Sequence, residues 1–201
     1  MNKDFENDDV FNSSFWNERW RNQQTGWDIG YPSPAIGEYM RKYENKDAAI
    51  LIPGCGNAYE AEFLVKEGFT NVTILDIAPI AVEKLKEKFK DKSEITIICD
   101  NFFDFKGAFD VIIEQTFFCA IMPSLRKAYV KNAASLLKDN GRIIGLLFNK
   151  KFDHNGPPYG GSKEEYLSLF QPFFKIDKME ICLNSIPPRM GNELFINLLK
   201  K

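Results

Sequence analysis

The chain contains one histidine and four cysteines in 201 residues, and the cysteines, Cys55, Cys99, Cys119 and Cys182, lie far apart. A zinc module needs Cys and His ligands at short, repeated spacings, so no metal site is expected and the cysteines read as reduced thiols. An excess of either charge is also missing: 26 Lys and Arg against 28 Asp and Glu leave a net charge of -2. Nothing global therefore draws the chain to phosphate backbones or anionic lipid, and neither nucleic acid nor membrane is an expected partner. No apolar run approaches the roughly 18 residues that cross a bilayer. The first nine residues carry Asp4, Glu6, Asp8 and Asp9 where a secretory signal would place basic and then apolar residues, so the cytoplasm is the expected location.

What is present is the balance of one globular domain over residues 1–201, with 44% hydrophobic and 27% charged residues. From residue 48 onward, short apolar runs alternate with longer amphipathic stretches, the pattern of βαβ units. Strands are predicted at 48–53, 72–76, 95–100, 109–114 and 142–148, where β-branched and aromatic residues cluster. Helices are predicted between them. Residues 79–89 put Ile80, Val82, Leu85 and Phe89 near one face, with Pro79 suited to the first turn. Residues 123–138 form the next, with Asn140-Gly141 as its C-terminal cap. Residues 149–161, rich in Gly, Pro, Asn and Asp, read as a loop. A short helix at 163–170 and a hairpin of 174–183 and 193–199 close the chain, with Pro187-Pro188 and Gly191 in the connection. The expected fold is a Rossmann-like α/β core over 48–201, a seven-stranded, mostly parallel sheet with helices on both faces.

Residues 1–47 differ from that core. Phe15, Trp16, Trp20, Trp27 and Tyr31 crowd together, and all three tryptophans of the chain are among them. Trp16 and Trp20 are four apart and share a helix face, and Gly26, Gly30 and Pro32-Ser33-Pro34 then end the helix. The segment reads as an N-terminal helical lid.

A nucleotide site is expected at the carboxyl ends of the strands. Strand, glycine turn and helix are arranged at Ile52-Pro53-Gly54-Cys55-Gly56-Asn57, which aims backbone N–H groups and a helix N-terminus at a ligand. The dinucleotide pattern G-x-G-x-x-G is broken by Tyr59 at its third glycine, where a side chain would crowd a pyrophosphate. A ligand without one, S-adenosylmethionine, fits better than a nicotinamide cofactor. Asp76, followed by Ile77, ends the second strand and can accept hydrogen bonds from both ribose hydroxyls. Asp100-Asn101 ends the third, within reach of an adenine amino group, and Glu114-Gln115 ends the fourth. Aromatic faces at Trp16, Trp20 and Trp27 suit a sulfonium cation.

Four segments, FWNERWRNQQTGWDIGYPSP from Phe15, IPGCGNAY from Ile52, FFCAIMPSLR from Phe117 and NGPPY from Asn155, resemble the thiopurine S-methyltransferase superfamily. The FFCAI stretch and Ser185-Ile186-Pro187-Pro188-Arg189 are closer to its halide/thiol methyltransferase branch. The resemblance covers nearly the whole chain from Phe15. It implies a class I methyltransferase that uses S-adenosylmethionine, with the tryptophans closing over the cofactor, Gly54 at the loop, Asp76 on the ribose and Asp100-Asn101 near adenine. Gln115 departs from the pattern, since the halide branch has tyrosine there and the thiopurine enzymes arginine.

The expected activity is methyl transfer to a small nucleophile, a thiol, sulfide or halide; an aromatic thiol methyltransferase and a non-catalytic S-adenosylmethionine binder are the alternatives. Methyl transfer is an in-line displacement that depends on alignment, so no catalytic base is assigned. In the loop 153–159, His154 and Tyr159 are candidates to touch the nucleophile, although a solvated loop histidine is the plainer reading of His154. Arg126 and Arg189 are candidates to attract an anionic acceptor, with surface placement as the alternative, and Cys119 reads as a core thiol. A monomer or weak homodimer is expected.

Overall fold

The computed structural model describes residues 12–201; the acidic start of the chain lies outside the described residues. Two helices precede the sheet. In α1 (Ser13–Arg21) the Asn12 side chain accepts from the Phe15 N–H at 3.1 Å, and Arg19 and Arg21 sit in the last turn, where cations favour the helix dipole. The prolines that end this segment also begin the next, since Pro34 opens α2 (Pro34–Arg41), a position where a missing N–H costs nothing.

The core then runs β1 (Ile50–Pro53), α3 (Tyr59–Lys66), β2 (Val72–Asp76), α4 (Pro79–Lys88), β3 (Ile95–Cys99), β4 (Phe109–Gln115), α5 (Arg126–Leu136), β5 (Leu137–Phe148), α6 (Lys163–Phe170), β6 (Phe174–Ile181) and β7 (Glu193–Lys200). The seven strands form one sheet in the order β3-β2-β1-β4-β5-β7-β6. Neighbours from β3 through β5 pair in parallel, and β7 pairs antiparallel with both β5 and β6. Sheet and closing hairpin are as the sequence pattern predicts.

Alternation along the strands divides the core in two, because successive side chains of a strand face opposite sides. Leu51, Ile112 and Ile143 join Tyr129 of α5 and Phe170 of α6 on one side. Ile50, Ile52, Val111, Ile113 and Ile144 join Leu64 of α3, Leu85 of α4 and Met40 of α2 on the other. Strands buried on both faces read as continuous apolar runs, which is why ILIP and VTILD show no polar alternation.

One expectation is corrected. The helix expected over 123–138 is a 3₁₀ turn at Pro123–Leu125 followed by α5, which stops at Leu136. Leu137 is already extended, buried, and paired with Phe109, so strand pairing takes the residue that helix periodicity would have claimed. Asn140, at φ 61°, therefore turns within an irregular β5, where the register to β4 shifts, and does not cap the helix.

The strand order reverses between β1 and β4, and the crevice at the carboxyl ends of these two strands is where open α/β sheets place ligands. Among the described residues no helix is long and apolar enough to cross a membrane.

Candidate functional site

A cavity of about 560 Å³ opens at this reversal point. Its floor is the turn after β1, where Gly54 and Gly56 adopt φ of +56° and +53°. L side chains rarely adopt this region, and a Cβ on Gly54 would also collide with the Phe117 ring. Glycine at position 54 is therefore fixed twice, by conformation and by contact.

Asp76, at the end of β2, lines the cavity and is nearly buried. Its two oxygens accept from Gly56 N at 3.1 Å and Ala78 N at 2.9 Å, so the carboxylate ties the glycine turn to the start of α4. Burial raises its pKa from the ordinary aspartate value, against the lowering effect of the Ala78, Gly56 and Ile77 N–H groups. A carboxylate has about four acceptor positions, so capacity remains for a ligand. Ile77 also lines the cavity, and its carbonyl accepts from Ser13 Oγ at 2.7 Å. Asp100 and Asn101 lie on the same wall, but the Asn101 amide serves its own turn, donating to Asp104 at 2.9 Å and accepting from Phe103 N at 3.1 Å.

The three tryptophans meet above the glycine turn. Trp27 packs edge-on against Trp16 and Trp20, with ring centroids 5.4 and 5.9 Å apart, and all three line the cavity. Helix α1 is held to α4 by Ile80 N donating to Asn17 Oδ1 at 2.9 Å. Asp28 explains the tyrosine that breaks the glycine pattern: its Oδ2 accepts from Asn57 Nδ2 at 2.5 Å and from the Tyr59 hydroxyl at 3.2 Å. The residue that excludes a third glycine thus anchors the tryptophan segment. No spacing in the sequence points to Asp28 in this role.

The opposite wall is the turn after β4, from Thr116 to Met122, together with Phe148, Phe152, Pro157 and Pro158. Cys119 reaches the cavity, with its thiol donating to the Thr116 carbonyl at 3.2 Å. Burial, and then the charge of Glu114, push that thiol up to about 12, so it stays protonated. Lys150 and Arg189 bring two cations to this half. Sequence reasoning did not single out Lys150, Phe148 or Phe152, because a loop lysine and strand-end aromatics carry no motif.

Several expected residues do not reach the cavity. Arg126 is the clearest correction. It is 2% exposed, pairs with Glu165 at 2.6 Å, donates to the Gly160 carbonyl at 2.8 Å and lies over the Phe118 ring. A buried guanidinium needs such partners, and these fasten the 150s loop to α6. His154 is exposed and leans on Phe152, so it takes the solvated role. Tyr159 contributes its backbone N–H to the Cys119 carbonyl at 2.7 Å, and it is not among the residues that line the cavity. Cys55 packs into the apolar cluster beneath the glycine turn, and burial raises its thiol pKa. Gln115 points off the cavity, and its Oε1 is buried with no hydrogen-bond partner among the described residues.

Comparison with known proteins identifies the family and the fold. The profile of the thiopurine S-methyltransferase family matches residues 11–193. A probable thiol methyltransferase 2 of Arabidopsis thaliana is 31% identical over 90% of this chain and 82% of its own length. A thiocyanate methyltransferase 1 of Brassica oleracea is 30% identical over 89% of this chain and 81% of its own. In fold, the chain is similar to a Burkholderia thailandensis 1,6-didemethyltoxoflavin-N1-methyltransferase solved with 1,6-didemethyltoxoflavin and S-adenosylhomocysteine bound, at a TM-score of 0.73 and 15% identity over 94% of this chain and 87% of that one.

Proposed function

The chain belongs to the thiopurine S-methyltransferase family and is an S-adenosylmethionine-dependent methyltransferase; from that premise we propose that its acceptor is a small thiol, sulfide or halide. The observation that carries this reading is that one cavity joins the glycine turn, Asp76 and the tryptophans to an apolar wall that also carries Lys150.

The residues fit the cofactor. In this reading Asp76 takes the ribose hydroxyls with its remaining acceptor capacity, Asp100 serves the adenine edge, and the tryptophans line the path of the sulfonium, where an aromatic face is worth about 0.5–2 kcal/mol. When bound, S-adenosylmethionine supplies a methyl group activated by its positive sulfonium. The chain's own part is alignment and exclusion of water: Phe117, Phe148, Phe152 and Pro158 shape an apolar half in which an acceptor lone pair can be held in line with the methyl carbon. Lys150 favours an anionic acceptor, a thiolate or halide, which needs no base, whereas the Arg189 charge is already paired with Glu193. A Cys119 thiol kept protonated is a poor competing nucleophile.

In this reading residues 12–47 act as the lid on a core of residues 48–201, supported by the ties of Ser13 to Ile77, Asn17 to Ile80 and Asp28 to Asn57. The protein works as a monomer or weak homodimer in the cytoplasm. The free cysteines among the described residues suit a reducing compartment.

The test is transfer of a labelled methyl group to a panel of iodide, thiocyanate, hydrosulfide and aromatic thiols. Turnover of a small anion is expected. Tight binding of S-adenosylhomocysteine with no turnover across the panel would replace the reading by that of a non-catalytic binder.

A further inference from the structure

We propose that Glu114 is a positioning residue for methyl transfer, whose ionised carboxylate holds residues 116–122 as the wall that faces the acceptor. The inference rests on the functional reading above, which gives that wall its purpose.

Glu114 is 1% exposed, yet it contributes nothing to the cavity surface. All its hydrogen bonds run to the frame of the wall. Oε1 accepts from Phe117 N at 2.9 Å and Phe118 N at 2.8 Å, and Oε2 accepts from the Tyr129 hydroxyl at 2.7 Å. An ionised carboxylate is purely an acceptor and suits three donors; a protonated one turns one oxygen into a donor and leaves a donor unmatched. Two of the three donors are backbone groups that cannot turn away. On the β5 side, a Cβ at Gly145 would collide with the Glu114 backbone, so the strand gives this residue no room to shift.

The wall needs holding. Thr116, a β-branched residue, sits at φ 61°, a conformation that persists only where surroundings impose it. From Glu114 the constraint passes in two directions. Phe117 packs against Gly54, so the wall touches the cofactor turn. The Cys119 carbonyl accepts from Tyr159 N, so the wall also fixes the Pro157-Pro158 loop. One carboxylate thus sets the spacing between the two halves of the cavity.

Burial, against the lowering effect of its hydrogen bonds, pushes the Glu114 carboxyl up to about 7. The titratable groups that face it are Tyr129 from α5 and Cys119 from the wall, and both remain neutral near that pH because burial raises them further. The hold on the wall should then tighten as pH rises through neutrality.

The experiment compares the full chain with Glu114→Gln, which mimics the neutral acid, and with Tyr129→Phe. Three readouts are followed from pH 5.5 to 8.5: carbon-13 NMR of the glutamate carboxyls, hydrogen exchange of the Phe117 and Phe118 amides corrected for intrinsic rates, and kcat with iodide, an anion at every pH. In the unmodified protein, one carboxyl signal should titrate near 7 and vanish in Glu114→Gln. Protection of the two amides and kcat should rise across the same midpoint. Glu114→Gln should be flat in both, near the low-pH level, with kcat about tenfold or more below the high-pH plateau and S-adenosylhomocysteine affinity changed by less than about threefold. Tyr129→Phe, which removes a donor that favours the charge, should move the midpoint upward. A Glu114 signal that titrates in the ordinary carboxylate range, amide protection unchanged across the midpoint, or an inflection retained by Glu114→Gln would each overturn the proposal. If titration and exchange behave as expected while no acceptor is methylated, the hold on the wall stands and the acceptor reading falls.

Discussion

The Arg189 guanidinium donates to the Trp27 carbonyl at 3.2 Å across 162 positions of sequence, and so fastens the connection before β7 to the tryptophan segment. Glu193, itself buried, holds the same guanidinium at 3.4 Å, and Phe148 lies beneath it. Ser185 donates to the other oxygen of Glu193, which leaves that carboxylate no freedom to turn. With Asp28 bound to Asn57 and Tyr59 on the far side, Trp27 is clamped between two halves of the sheet edge.

Arg189→Met should loosen that clamp while keeping the apolar stem over Phe148. A lost charge-assisted bond is worth about 1.5–3 kcal/mol, so affinity for S-adenosylhomocysteine should fall roughly 10- to 150-fold. Calorimetry measures the affinity, and tryptophan emission should shift on binding less in the variant than in the parent. Equal affinity and equal emission changes would show that Trp27 holds its place unaided.

Asp76→Asn separates binding from folding. The amide keeps one acceptor oxygen but loses the charge and half the acceptor capacity, so S-adenosylhomocysteine affinity should drop by about tenfold or more. The amide also turns its NH2 toward either Gly56 N or Ala78 N, so the apo protein should lose about 1–3 kcal/mol in urea denaturation at pH 7, offset in part because burial already disfavours the Asp76 charge. A large fall in stability with unchanged affinity would place Asp76 in the scaffold alone.

Most of the architecture was legible because buried parallel strands are short apolar runs ended by polar residues, and Asp76 and Glu114 mark such ends. The glycine turn and the tryptophans were legible as well, since both are local patterns. Roles that depend on what a side chain meets across the fold were not. Arg126 looked available for an anion until Glu165 and the Gly160 carbonyl, more than thirty positions away, were seen to occupy it. Asp28 and Lys150 gave no signal, because their significance lies in a neighbour brought near by the sheet.

Arg126 supplies a clean contrast between scaffold and site. Arg126→Met removes two hydrogen bonds from the Glu165 side chain and the Gly160 carbonyl, and should cost about 1–3 kcal/mol of unfolding free energy. Glu165 is partly exposed and can regain water, which keeps the loss toward the lower end. The KM for an anionic acceptor should change less than about threefold. A large rise in KM without loss of stability would return Arg126 to the acceptor site.

Glu114 predicts how stability itself depends on pH. Its folded pKa, raised from 4.5 to about 7, means that the folded state binds a proton more tightly than the unfolded chain. The contribution is fully present below pH 4.5, and it declines as pH rises until it is lost above about 7. Over that window the folded protein should lose up to roughly 3 kcal/mol from this one group, at 1.36 kcal/mol per pKa unit. Glu114→Gln removes the titration, so in urea denaturation the stability of the parent relative to the variant should fall as pH rises from 4.5 to 7. A difference that stays constant over this range would mean that Glu114 titrates alike in both states. The direction opposes the one expected for the hold on the wall, where the ionised form is the ordered one. A site that tightens while the whole fold weakens is the pattern expected when a buried charge is retained for geometry and not for stability.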